Sequence, residues 1–443
     1  TNALADGVFG QIDLSRNTSN FIDAAGLSAP KGIALDRSVI PNRLYVVDSD
    51  NSRVLAWADA SAFGSGTPAD MVIGQPDFYN GLRNWNGGLV AGPSTLQFPR
   101  GIAVDTGGNL YVADSGNNRV LIYDNPFLND TAADQVIGQG GNFTTIGGCE
   151  PGVTSNQTLC EPKGLALDAS NNLFVADTTN HRVLFYTNPR VSDQIADRVF
   201  GRNNSFSANQ CVPVSTEPFG LCSPIGLAVD SLGNLFISDF GNNRILEYNG
   251  AVSTTPNRVY GQNSFTTNSA NFEGLDSKSL YHPIDLTIDA EGHLYVVDSG
   301  NHRVLRYLNP LDLNYIVDGN IFGQDVGRSN NPNFPNGKPA PEGMFGPFGV
   351  GVDSEGGVYI SDTGNHRVLA FFPNRPPVAS AGPDQVIEQS QLGGASVVLD
   401  GFGSTDADGD LLSYTWTWET ETFTGINPTV FLPLGNHIIT LVV

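Results

Sequence analysis

The sequence predicts an all-β protein: a six-bladed β-propeller closed by its own N-terminal strand, followed by a smaller and incomplete β-sandwich. Three observations predict it. One segment recurs six times along the chain, a fourth short apolar motif alternates with it but appears first, and 51 glycines and 27 prolines punctuate the whole as turn residues.

The recurring segment reads GIALDRSVIPNRLYVVDSDNSRVLAW from Gly32, GIAVDTGGNLYVADSGNNRVLIY from Gly101, GLALDASNNLFVADTTNHRVLFY from Gly164, GLAVDSLGNLFISDFGNNRILEY from Gly226, DLTIDAEGHLYVVDSGNHRVLRY from Asp285 and GVGVDSEGGVYISDTGNHRVLAF from Gly349. Each copy holds three short apolar runs with the pattern of buried strands, here called a, b and c. The a run ends at Asp36, Asp105, Asp168, Asp230, Asp289 or Asp353. The b run ends at Asp48, Asp114, Asp177, Asp239, Asp298 or Asp362, and Arg53, Arg119, Arg182, Arg244, Arg303 or Arg367 opens the c run.

A fourth strand, d, is read from V-[FIY]-G-Q or close variants at Val8–Gln11, Val72–Gln75, Val136–Gln139, Val199–Arg202, Val259–Gln262 and Ile321–Gln324. Four strands per unit is the content of a propeller blade. The first d motif precedes every a run and the sixth a–b–c set has no d motif after it. The N-terminal strand is therefore expected to complete the last blade and remove the free sheet edges.

The D-[ST]-x-N-[HN]-R-[VI] string is the most specific part of the repeat, and through it residues 1–373 resemble the NHL repeat family. The resemblance implies that Asp, Asn and Arg brace the b–c turn of each blade, a scaffold role that fits their sixfold recurrence. His181, His302 and His366 share a slot with Asn118 and Asn243, and are read as turn residues rather than metal ligands, since blade geometry spaces them around a ring.

Function is sought between the d glycine and the proline that opens strand a, as in Gly74 to Pro99, Gly138 to Pro162 and Gly201 to Pro224. These connections are long for a propeller, and long loops are where recognition is usually placed. All six end alike, with Leu27, Leu96, Leu159, Leu221, Leu280 or Met344 three residues before the proline as a predicted anchor. Cys149 and Cys160 are 11 apart, as are Cys211 and Cys222, at matching places in successive repeats. Two local disulfides, pinning two loops, are the simplest reading, and they imply an oxidising compartment. Metal ligation is the competing reading, but no Cys-x-x-Cys and no companion His occurs.

The residue after each proline enters the channel: Lys31, Arg100, Lys163, Ile225, Ile284 and Phe348 around the ring. Three adjacent blades are basic. Exposed rim charges are ordinary, but in so acidic a protein the Lys31–Arg100–Lys163 arc is also a candidate pocket for a carboxylate or acidic sugar.

A formal net charge of −23 argues against nucleic acid and anionic lipid, both of which require clustered cations. No apolar run is long enough for a membrane span. Starting at Thr1 without a signal peptide, the chain reads as a mature or trimmed product. Asn17, Asn142 and Asn156 head sequons that permit glycosylation. NHL-like propellers include metal-dependent lyases and lactonases, yet the rim offers only His282 and Glu161 as isolated ligand candidates.

PNRPPVASAGPDQ marks a Pro-rich linker at 374–378. Residues 379–443, with VVLDGFGSTDADGDLLSYTWTW, resemble a PKD-type Ig-like β-sandwich in which Tyr414, Trp416 and Trp418 alternate along a core strand. Asp406, Asp408 and Asp410 form a cluster suited to Ca²⁺, although this is no EF-hand. The sandwich is expected to be incomplete after HIITLVV, and its open edge could accept a strand from another subunit.

The reading is a non-catalytic, secreted or cell-surface binding or scaffolding protein with protein or glycan partners. In one version it is the self-associating subunit of a surface filament or adhesive assembly. The alternative is a secreted metal-dependent enzyme of the lyase or lactonase type.

Overall fold

The computed structural model describes residues 4–19, 22–61, 66–85, 87, 90–149, 152–215, 217–250, 253–312, 317, 322–324, 330–333, 336–374, 376–406 and 411–443. It divides into two compact units, Thr1–Phe372 and Pro373–Val443.

Six antiparallel sheets make up the first unit. Sheet I contains Pro30–Asp36, Arg43–Asp48, Arg53–Trp57 and Met71–Ile73; sheet II contains Ile102–Val104, Leu110–Asp114, Arg119–Tyr123 and Gln135–Ile137. Sheet III is Pro162–Leu167, Leu173–Asp177, Arg182–Tyr186 and Arg198–Phe200, and sheet IV is Pro224–Val229, Leu235–Asp239, Arg244–Tyr248 and Pro256–Tyr260. Sheet V has Pro283–Ile288, Leu294–Asp298 and Arg303–Tyr307, with Phe322 bridged to Val304 in the fourth position. Sheet VI joins Val350–Val352, Val358–Asp362 and Arg367–Phe371 to Gly7–Phe9 from the start of the chain, Val8 lying opposite Leu369.

Local chemistry sets the turns. The aspartate ending strand a folds the chain back by accepting amides ahead of it: Asp105 takes those of Gly107 and Asn109 at 2.8 and 3.0 Å, and Asp230 those of Leu232 and Asn234 at 2.9 and 2.8 Å. Between b and c the chain makes a 3₁₀ turn that ends in a left-handed residue, Asn118 (φ 56°), His181 (φ 53°), Asn243 (φ 51°), His302 (φ 55°) or His366 (φ 54°). Asn and His tolerate that region better than branched residues do, which explains their shared slot.

The d motif forms a shorter strand than V-x-G-Q suggests, because its glycine leaves extended geometry. Gly74 has φ +87° and Gly323 φ +91°; a Cβ on Gly74 would lie 2.4 Å from Leu96, and one on Gly323 2.4 Å from Met344. The loop anchors thus press directly on these glycines, and all six anchors are fully buried. The glutamine then turns inward, Gln75 Nε2 donating to the Ser52 and Leu82 carbonyls at 3.0 and 2.9 Å.

Apolar side chains fill the space between successive sheets. Tyr45 and Val47 of sheet I pack with Leu110 and Val112 of sheet II. Phe9, Tyr359 and Val368 of sheet VI pack with Leu44, Val46 and Trp57 of sheet I. Burying each large side chain of this kind contributes about 1.5–3 kcal/mol.

In the second unit, Gly394–Val398 pairs with Thr429–Pro433, and Thr415–Trp418 pairs with both Glu421–Thr424 and Thr440–Val442. Trp416 is buried among Val397, Leu399, Val430 and Leu432, while Trp418 is partly buried. A cleft of about 540 Å³, lined by residues including Ile387, Val397, Trp416, Leu432 and Ile439, opens within this unit.

Candidate functional site at the mouth of the sheet ring

Every a strand starts, and every b strand ends, at the same end of the first unit: Pro162 lies opposite Asp177, Pro224 opposite Asp239, and Pro283 opposite Asp298. This end is the mouth. Its frame is the repeated Asp–Arg pair, Asp48–Arg53, Asp114–Arg119, Asp177–Arg182, Asp239–Arg244, Asp298–Arg303 and Asp362–Arg367, at 2.7–2.8 Å with both side chains fully buried in every sheet. The pairs hold loops as well as turns. Asp114 accepts from Asn117 Nδ2 at 2.7 Å and from the Gln97 amide at 2.7 Å, while Arg119 donates to the Gly92 and Thr95 carbonyls at 2.9 Å and to that of Phe143. One ion pair thus fastens the loop before its sheet to the loop after it.

The left-handed residue of each b–c turn also reaches the next sheet. Asn118 Oδ1 accepts the Glu161 amide at 2.9 Å, His181 Nδ1 that of Ser223 at 2.9 Å, Asn243 Oδ1 that of His282 at 2.9 Å, His302 Nδ1 that of Gly346 at 2.9 Å, and His366 Nδ1 that of Ala29 at 3.0 Å. Ser52 Oγ does the same for Phe98 at 3.4 Å. These residues are inter-sheet clamps as well as turn residues. A motif read within one repeat cannot reveal that, because the partner belongs to the next. Nδ1 can accept only when unprotonated, and burial lowers the proton affinity of all three imidazoles.

A second set of contacts surrounds the throat. A Cβ on Gly101 would stand 1.7 Å from the Lys163 carbonyl oxygen, one on Gly164 1.9 Å from that of Ile225, and one on Gly226 2.2 Å from that of Ile284. Gly349 meets the Lys31 carbonyl at 2.3 Å and Gly32 that of Arg100 at 2.6 Å. The corresponding position in sheet V is Asp285. Its carboxylate accepts the Val350 amide at 3.1 Å, and burial pushes its pKa up to about 7. Sequence reading passed over this residue, although it is the one departure from glycine in the position.

Lys31, Arg100 and Lys163 come together here, half-buried rather than freely solvated. Lys31 Nζ lies 4.7 Å from the Phe348 ring centre, and the Arg100 guanidinium carbon 5.8 Å from it, a cation–π geometry. Burial, then the Arg100 charge, holds the Lys31 ammonium down at about 8; burial and Arg100 also lower Lys163. Asp50 and Glu161 are the nearby acids, but no described acid lies within ion-pair distance of the three cations. Below them the throat, lined by residues including Arg100, Lys163, Asp285 and Phe348, narrows to a cavity of about 20 Å³. That is room for about one water, so a larger ligand would lie across the mouth.

Both disulfides are present, Cys149–Cys160 and Cys211–Cys222. Cys160 and Cys222 also donate their amides to Asp177 and Asp239 at 2.7 Å, so each bridge ties a loop to the buried ion pair. Asn17 and Asn142 are exposed and Asn156 is half-buried. Asp406 is half-buried, while Asp408 and Asp410 lie outside the described residues. Asp289, Glu291 and His293 cluster on the a–b turn of sheet V. There His293 Nδ1 meets Asp289 at 2.8 Å, as Asn109 Nδ2 meets Asp105 at 2.8 Å in sheet II, so His293 serves as turn hardware.

The NHL repeat family matches residues 96–123, 159–185, 221–248, 280–307 and 346–371. The chain thus carries five NHL repeats over these residues. Protein SUPPRESSOR OF QUENCHING 1, chloroplastic, of Arabidopsis thaliana is 26% identical over 289 residues, covering 63% of this chain and 25% of its own length. NHL repeat-containing protein 2 of Bos taurus is 31% identical over 161 residues, covering 36% of this chain and 21% of its own length. The chain thus spans about a quarter or less of these relatives. Among solved structures, virginiamycin B lyase from Staphylococcus aureus aligns with 81% of this chain and 98% of its own at 12% identity and a TM-score of 0.43. A gluconolactonase from Xanthomonas campestris aligns with 84% and 97% at 14% identity and a TM-score of 0.41.

Proposed function

We propose that the six sheets are the blades of a propeller closed through Gly7–Phe9, and that it is a non-catalytic recognition module taking a carboxylate-bearing partner at its mouth. The observation that carries this is the gathering of Lys31, Arg100 and Lys163, the first two over the Phe348 ring, with no acidic partner within ion-pair distance among the described residues. Half-buried cations packed together lose hydration and repel one another, a cost that a bound anion would relieve. The two disulfides support a secreted or cell-surface setting. The cleft in the second unit supports a scaffolding role in which a strand or side chains from another subunit enter it.

The test is binding to two carboxylate polymers, polygalacturonate and polyglutamate, by surface plasmon resonance. At least one should bind the wild type, and Lys31→Glu/Arg100→Glu/Lys163→Glu should abolish binding. Because the Lys31 ammonium is held at about 8, affinity should fall several-fold between pH 7 and pH 9, whereas Lys31→Arg should flatten that profile. Binding that is unchanged in the triple variant overturns the site.

The rival class is a metal-dependent lyase or lactonase. Among the described throat-lining residues Asp285 is the one carboxylate and there is no imidazole, a donor set that does not fit a catalytic metal. Metal analysis of the purified protein tests this: a stoichiometric ion that survives dialysis would favour the enzyme.

A further inference from the structure

The cationic arc occupies sheets I to III, and the other side of the mouth has its own departures from the repeat. After the b-strand aspartate the repeats carry Ser49, Ser115, Thr178, Ser299 and Thr363, but sheet IV carries Phe240. The hydroxyls of Ser115, Thr178 and Thr363 donate to the Pro162, Pro224 and Pro30 carbonyls of the next sheet. In sheet IV that bond is made instead by Ser238, two residues earlier, to the Pro283 carbonyl. Phe240 is thereby released from clamp duty. Its ring stacks on His282, with centres 4.4 Å apart and planes 16° apart, and the Tyr281 ring centre lies 4.3 Å from that of the same imidazole with planes 32° apart. All three rings are half-buried and keep an accessible surface. Phe345, 43% exposed, repeats the Tyr281 position one sheet further on. Tyr281 and Phe345 each lie against a turn glycine, Gly300 and Gly364, where a Cβ would meet the ring at 2.6 and 2.7 Å. The turns thus leave space for these rings.

We propose that the mouth binds an acidic polysaccharide of the uronic-acid class, with a sugar ring stacked on the Phe240–His282–Tyr281 shelf and carboxylates on the Lys31–Arg100–Lys163 arc. This rests on the anion-binding reading above and names the ligand's chemistry. Flat, half-exposed rings suit the apolar face of a pyranose, and the arc supplies the complementary charge. A throat with room for about one water makes the ligand span the mouth, which a chain of ring-shaped, singly charged units does. An acidic peptide would use the arc but has no sugar face for the shelf.

The experiment compares a galacturonate hexamer, a neutral cellohexaose and a glutamate decamer, measured by calorimetry on the full chain. Phe240→Ser restores the residue type of the other repeats and Tyr281→Ala trims the shelf; both are checked for an unchanged melting curve. The galacturonate hexamer should bind at least tenfold more tightly than the other two, and each shelf variant should weaken it about tenfold. Equal or tighter binding of the glutamate decamer assigns the mouth to acidic peptide and overturns the proposal. Galacturonate binding that is lost in Arg100→Glu/Lys163→Glu but untouched by both shelf variants also overturns it, and leaves the anion site standing. Failure of every anion to bind removes both readings.

Discussion

The frame of the mouth and its lining use the same repeat positions to opposite ends. In the frame, Asp–Arg pairs recur in every sheet at 2.7–2.8 Å, and glycines and left-handed clamps recur from sheet to sheet beside them. In the lining, Phe240 stands where a hydroxyl is usual, Asp285 where glycine is usual, and one repeat position is basic in Lys31, Arg100 and Lys163 but apolar in Ile225, Ile284 and Phe348. The difference teaches that sixfold repetition supports stability, and on the proposed reading its local failure supports recognition. Change should therefore be costly at the first set and mild for folding at the second.

The largest effect is expected at the buried ion pairs. Arg119→Ala leaves the buried Asp114 carboxyl without its counter-charge and frees three loop carbonyls. A loss of about 3–5 kcal/mol in chemical denaturation is expected. The matched lining variant, Phe240→Ser, should stay within about 1 kcal/mol of wild type, since a hydroxyl is what the turn carries elsewhere. Equal losses would erase the distinction between frame and lining.

The glycine ring gives a finer contrast. Gly101→Ala drives a methyl group to 1.7 Å from the Lys163 carbonyl, so sheets II and III must separate. Overpacking of this kind costs about 1–3 kcal/mol. Asp285→Gly goes the other way, removing a side chain where the ring already accommodates one. It forfeits the acceptor of the Val350 amide, about 1 kcal/mol. A Gly101→Ala protein that melts with the wild type would show that the contact does not set sheet spacing.

How legible this was in the sequence follows the same division. Strands, their order and the N-terminal partner of sheet VI could be read because each is specified inside one repeat, or by which motif stands first. The anchors Leu27 to Met344 could be read because they recur beside a proline. The clamps could not, since His181 and Ser223 are 42 residues apart and their bond links neighbouring sheets. Phe240 and Asp285 stand in the sequence only as single departures from the repeat; the Ser238 bond to the next sheet and the Val350 amide on the carboxylate belong to the fold. The arc was legible as a list of residues; its contact with Phe348, from the far side of the repeat array, required the fold.

The smallest effect per residue concerns the clamps themselves, three of which use histidine where Asn118 and Asn243 do the same work. Burial holds the folded-state pKa of His181, His302 and His366 below their ordinary value near 6.5. The unfolded chain therefore binds protons first. The clamps' contribution is present above pH 6.5 and is lost as the pH falls toward the lowered folded values. An amide-to-imidazole bond is worth about 0.5–1.5 kcal/mol, and partial exposure of the rings places these at the low end. In His181→Asn/His302→Asn/His366→Asn the acceptor cannot be protonated. Relative to this variant the wild type should lose about 1–3 kcal/mol between pH 7.5 and pH 5 in denaturant titrations. Asp285, raised to about 7 by burial, titrates in both proteins and cancels in the difference. Parallel pH profiles would mean that the imidazoles keep their amides when protonated, and that the clamp is held by backbone geometry alone.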